Sequence, residues 1–262
     1  MTPKPASPML LFKPWTVLKR VAMHNLQCLE TLLNEGGMKS LVVIFAGLIV
    51  FWHLYTPIHE LLHVAACLLS GGTVEELALK PQYGGTLLAE VFPFVVPESD
   101  YAGQLTGFHT PNYWSYALVD FFPYGLSLFG VALAEWCRRR KRSLFFGLAA
   151  ILTFVPLMSV PGDFYEAVSL VTTQIAEWRN PQLEPGFLVS DDMFRSIGSL
   201  GKAGKLDFFT GVLVFLGFAA AVWLSITTLA FQLLLAERWF GLRLPADTED
   251  EKNRAPSRDL ES

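Results

Sequence analysis

Charge is what this sequence has least of. Of its 262 residues only 17% are charged, whereas 52% are hydrophobic and 21 are phenylalanine, an apolar excess that a water-soluble domain of this length does not need. Cysteine is also scarce. Cys28, Cys67 and Cys137 are odd in number, form no CxxC pair and fall outside the predicted outer loops, so neither a disulfide framework nor a thiolate metal cage is expected. A signal-peptide pattern is missing too, because the apolar piece Met9–Phe12 runs straight into Lys13 and Pro14, and the first span should act as its own anchor. No internal repeat is visible.

What the chain does have is long apolar runs. Four reach the roughly 18 residues needed to cross a bilayer: Ser40 to about Ser70, Trp114 to Trp136, Ser143 to Pro161, and Phe208 to Ala236. The expected class is an all-α integral membrane protein of four transmembrane helices. The net charge of -4 carries little information, but the distribution of its 20 basic residues does. With the N-terminus inside, fifteen of them lie on inner segments and five on outer loops, which predicts a multi-pass protein with both termini cytoplasmic, as in a bacterial inner membrane.

Three regions follow. Residues 1–39 form a cytoplasmic N-terminal segment in which Trp15, Leu18, Val21, Ala22, Leu26, Leu29, Leu32 and Leu33 recur at helical spacing. This predicts an amphipathic helix closed by Gly36 and Gly37, lying on the inner leaflet or packed against the inner ends of the bundle. Residues 40–236 form the membrane core, with an extramembrane β-hairpin over residues 74–92, where two apolar runs flank Pro81, Tyr83, Gly84 and Gly85. Residues 179–206 are rich in Gly, Pro, Ser and Asp and read as loop; 237–262 read as a cytoplasmic tail, polar and disordered from Pro245.

The chemistry is concentrated in "TPIHELLH", residues 56–63. On a helix, residues at i and i+4 stand about 40° apart, so His59 and His63 can reach one metal ion, and Glu60, about 100° round, can act on a water held there. This is the HExxH arrangement of zinc hydrolases, in which the metal acidifies water and the carboxylate moves the proton. Three ionisable groups on adjacent turns of a membrane segment cost on the order of a few kcal/mol each unless paired or bound, and read as functional. The bland alternative is a set of hydrogen bonds among these groups and neighbouring helices. His53 lies about 120° off the His59 face and should not join them. As one helix, Ser40–Ser70 would be about 45 Å long against a hydrocarbon layer of about 30 Å, so a kink is expected at Pro57, bringing the motif near the outer edge or into a water-filled pocket.

A zinc site needs a third protein ligand. Asp163, directly after the third span and at matching depth, is favoured, although Asp163 and Glu166 also read as a capping box opening a helix over 164–178. Asp120, inside the second span, is its rival, either as ligand or as support for a ligating imidazole. His109 is a third option; Glu90, Glu98 and Asp100 read as solvated loop.

Taken together, HELLH in the first span, the Pro-containing "FFPYGLSLFG" in the second and "PGD" in the third resemble the site-2-protease group of intramembrane zinc metalloproteases, over roughly residues 41–166. The family's third motif reads Leu-Asp-Gly; here Gly162 precedes Asp163 and Phe164 follows it. The resemblance implies zinc held by His59, His63 and Asp163, Glu60 as general base, a membrane-protein substrate, and a β-hairpin that aligns substrate as an added strand, with residues 74–92 as its counterpart. The lipid bilayer and a membrane-protein partner are the expected surroundings, and nucleic acid is not. Two other activities are compatible with the residues: a non-catalytic membrane scaffold or assembly subunit, and a zinc hydrolase acting on a lipid or small amide.

Overall fold

Uncharged stretches leave the backbone little but itself to bond to, and helix dominates the result. The computed structural model describes residues 13–179, 182, 186–190 and 192–241. In order, the elements are α1 (Pro14–Leu69), β1 (Thr73–Leu79), α2 (Gly85–Ala89), β2 (Val95–Val96), β3 (Gly103–His109), α3 (Tyr113–Phe121), α4 (Gly130–Arg140), α5 (Ser143–Met158), α6 (Asp163–Arg179), α7 (Met193–Lys202) and α8 (Phe208–Phe240). Four helical stretches are long and apolar enough to cross a membrane: Pro14–Leu69, Tyr113–Arg140, Ser143–Arg179 and Phe208–Arg238. The expected class therefore holds at that level, with a small sheet beside the helices.

The break in α1 falls at Gly37, with φ 55 and ψ -140, a conformation that disfavours any residue with a Cβ. Pro57, where a kink was expected, keeps helical dihedrals, so the motif sits on an unbroken stretch of helix. The arm before Gly37 packs against α4 and α8 through Val17, Val21 and Leu32. Arg20 pairs with Glu237 at 2.5 Å and Lys141 with Glu35 at 3.1 Å, fixing both ends of the arm.

The second apolar stretch is not one helix. Pro123 has no N–H to continue the ladder, and α3 gives way to short 3-10 pieces over Phe122–Gly125 and Ser127–Phe129 before α4 begins. Gly130 then lies against the backbone of Thr153 on α5. After α5, a turn at residues 159–162, with Phe164 N–H donating to the Ser159 carbonyl at 3.2 Å, leads into α6.

The expected hairpin over 74–92 is replaced by a different sheet. Its strand order is β2-β1-β3, with β1 parallel to β2 and antiparallel to β3, whose Leu105 faces Leu77. Gly84 takes φ 86 and turns the chain into α2 instead of a returning strand, because Leu88 N–H bonds to the Gly84 carbonyl at 2.9 Å. Leu77 and Leu79 are fully buried against Val64 of α1 and Val95. The predicted loop over 179–206 likewise contains α7, whose start is capped by Asp192 accepting from Phe194 N–H and Arg195 N–H. The tail from 242 onward lies outside the described residues, and α8 carries through residue 237, where the tail was expected to begin.

Two glycines set the distance between α1 and α5. A Cβ on Gly47 would run into the Leu144 carbonyl, and one on Gly147 into the backbone of Gly47 and Leu48, so the two helices touch main chain to main chain. Because α5 leads directly to Asp163, this contact positions that carboxylate opposite the α1 motif. Gly147→Leu should force the pair apart and destabilise the fold by about 1–3 kcal/mol or more; a thermal midpoint in detergent unchanged from that of the parent chain would refute the contact.

Candidate metal centre

A buried polar group must find a partner, and the two histidines of the α1 motif find theirs on α1 itself, α3 and α6. His59, Glu60 and His63 are all buried. His63 Nδ1 lies 2.8 Å from the Val119 carbonyl on α3. A carbonyl can only accept, so Nδ1 carries the proton and Nε2 is left as a lone pair. His59 Nδ1 meets the Tyr55 hydroxyl, one turn earlier, at 3.0 Å. Both rings thus turn Nε2 toward the same point.

At that point stands Asp163, at the first position of α6. Its Oδ2 is 3.2 Å from His59 Nε2 and 3.7 Å from His63 Nε2, and the two imidazole nitrogens are 3.1 Å apart. Tetrahedral ligands at zinc bond lengths stand about 3.3–3.6 Å from one another, so the triangle has the size of such a face. Three acceptor atoms this close repel unless a proton or cation lies among them. These three are one of two groups of His, Cys, Asp and Glu side chains, among the described residues, whose ligand atoms approach closely enough to hold a metal ion. Tyr124, turned into the bundle by the helix break at Pro123, donates its hydroxyl proton to Asp163 Oδ2 at 2.5 Å. Ligand carboxylates and imidazoles held from behind in this way are characteristic of metal sites.

Glu60 lines a cavity of about 360 Å³ together with His63, Gly103, Asp120, Asp163 and Glu166. One wall is the start of β3. A Cβ on Gly103 would strike Glu60 Cγ and Leu79 Cδ1, so the strand backbone rests directly on the glutamate side chain.

The other expected residues separate clearly. Asp120 is buried beside the cavity but is not in the triangle, and its Oδ2 has no hydrogen-bond partner among the described residues. His53 faces outward, bonded to the Ile49 carbonyl and near the Tyr83 ring at 5.1 Å. His109, at the exposed end of β3, pairs in register with Thr73, and Glu90, Glu98 and Asp100 are exposed. The capping box is replaced by other bonds: Asp163 lies inside α6, its carboxylate faces His59 and Tyr124, and Glu166 accepts from the Tyr116 hydroxyl at 2.5 Å. Tyr55, Tyr124 and Gly103 were missed as site residues. The first has a local signal, four residues before His59; the other two are brought in by tertiary contacts.

Two outcomes follow for metal binding. Tyr124→Phe should weaken affinity about 10–100-fold, whereas Asp120→Asn should leave it unchanged; titration with a competing chelator measures both, and the reverse ranking would make Asp120 the third ligand. Gly103→Val should push Glu60 aside without altering metal content, checked by elemental analysis beside a turnover assay. Comparison with protein-family models, curated proteins and solved structures finds no match to this chain.

Proposed function

We propose that this chain is a zinc-dependent membrane endopeptidase that hydrolyses a peptide bond in or near a transmembrane segment of its substrate, in the manner of the site-2-protease group. The observation that carries the reading is the meeting of His59 Nε2, His63 Nε2 and Asp163 Oδ2, from elements 104 residues apart in sequence, beside a cavity that Glu60 also lines. Three protein ligands with a fourth direction open to a cavity is the pattern of catalytic zinc, as opposed to closed structural zinc. His59, His63 and Asp163 would hold the zinc, which when bound would supply Lewis acidity for the hydrolysis.

The chain's own residues do the rest. Glu60 takes a proton from the attacking water and delivers it to the leaving nitrogen, while the Val119 carbonyl holds His63 in the ligating tautomer and the Tyr55 hydroxyl orients the His59 ring. β3 supplies a place for an extended substrate. Among the described residues its one strand partner is β1, and Tyr101 to Leu105 run along the cavity, so a substrate segment lying along β3 there would pass over Glu60. This gives β3 the aligning role that the resemblance assigned to residues 74–92. A bilayer setting is supported by the apolar side chains left outward on α1 and α8, among them Phe45, Ile49, Leu54, Phe215 and Trp223. A transmembrane substrate exposes its peptide bond only where polar groups and water replace its helical hydrogen bonds, and this cavity offers both.

Glu60→Gln should retain zinc and lower cleavage of a transmembrane substrate about 10²–10⁴-fold. Turnover equal to the parent chain would remove Glu60 from the mechanism, and a parent chain that carries zinc yet cleaves nothing would favour the scaffold reading.

A further inference from the structure

The arm before Gly37 buries a second set of ligand-type side chains. His24 and Cys28 stand four residues apart on one face of that arm, the spacing that also joins His59 to His63. Opposite them, at the middle of α4, is Glu135. His24, Cys28 and Glu135 are 5%, 0% and 5% exposed. This is the second group of potential metal-holding side chains among the described residues.

Their spacing is informative. Cys28 Sγ lies 3.6 Å from His24 Nε2 and 3.9 Å from Glu135 Oε2, and His24 Nε2 lies 3.9 Å from the same oxygen. At 3.9 Å the imidazole and carboxylate are too far apart for a direct hydrogen bond. They face a common centre instead of closing on one another. With a zinc–sulfur bond of about 2.3 Å and nitrogen and oxygen bonds of about 2.0–2.2 Å, tetrahedral ligands stand about 3.3–3.7 Å apart; the triangle closes to that size with shifts of a few tenths of an ångström.

The surroundings fit a metal as well. The His24 ring presents Nε2 to Cys28 Sγ, on the side where Glu135 also stands. Glu135 is held by Arg138 Nε at 2.8 Å, Arg138 Nη2 at 2.6 Å and Arg139 Nε at 2.6 Å. Such bonds orient a ligating carboxylate while leaving it lone pairs for an ion. A thiolate and a carboxylate balance a divalent cation, and the two arginines are partly exposed, where water spreads their charge. The open side of the triangle meets a cavity of about 400 Å³ bordered by Gln27, Thr31 and Gly241, with room for a water as fourth ligand.

The geometry points to a metal site, zinc by its mixed sulfur, nitrogen and oxygen donors, in which His24, Cys28 and Glu135 fasten the N-terminal arm to the middle of α4. It is independent of the centre at His59.

The two sites are separable by the thiolate. The full chain in detergent, reconstituted with zinc, should hold about two ions, one lost in His59→Ala/His63→Ala and the other in His24→Ala/Cys28→Ala, by elemental analysis. Loaded with cobalt, His59→Ala/His63→Ala should keep a near-ultraviolet sulfur-to-cobalt absorption that Cys28→Ser removes. Absence of that band overturns the site without disturbing the cluster itself. A parent chain with a single ion, lost on His59→Ala, likewise overturns it while leaving the proposed endopeptidase intact, whereas a chain binding no metal ends both.

Discussion

Lone pairs do not gather without a reason, and the molecule is arranged around one place where they do. The Val119 carbonyl compels His63 to present a bare Nε2, and His59 and Asp163 bring further acceptors to within 3.7 Å of it. Nothing in the local preferences of α1 or α6 favours this meeting. It is held by the packing of the helices, since moving any one ring or carboxylate would leave a buried polar atom without a partner.

That packing depends on close main-chain approach. Gly47 and Gly147 let α1 and α5 touch, and Gly130 does the same for α4 and α5. With α5 fixed, the short turn at 159–162 gives Asp163 little freedom. The break after α3 acts in concert: a continuous helix would carry the Tyr124 hydroxyl round with its own turn, whereas the 3-10 segment leaves it bonded to Asp163.

Much of this was legible in the sequence because it is periodic or local. Four apolar runs gave four long helical stretches, and the i, i+4 histidines with an adjacent glutamate share one buried region because a helix makes neighbours of residues one turn apart. Asp163 could be favoured on depth alone. The sheet could not be read, since the partner of β1 lies at 103–109 and strand pairing depends on which distant edge is available, not on its own residues. Pro57 was over-read: a proline removes one hydrogen bond, but a helix held along its length by packing absorbs that loss, and the true interruption came from Gly37. His24 and Cys28 carry the same spacing as His59 and His63, but a lone His and Cys four residues apart are no metal motif by themselves, and Glu135 is supplied by another helix.

The route from α1 to β1 is very short. Only Ser70, Gly71 and Gly72 separate the two elements, and the Cys67 thiol reaches the carbonyls of both Thr73 and His109. The helix bearing the imidazoles and the sheet that rests on Glu60 are consequently a single stiff piece, like an angle bracket. The opposite wall of the cavity, formed by α3 and the corner between α5 and α6, is the side that carries Asp163.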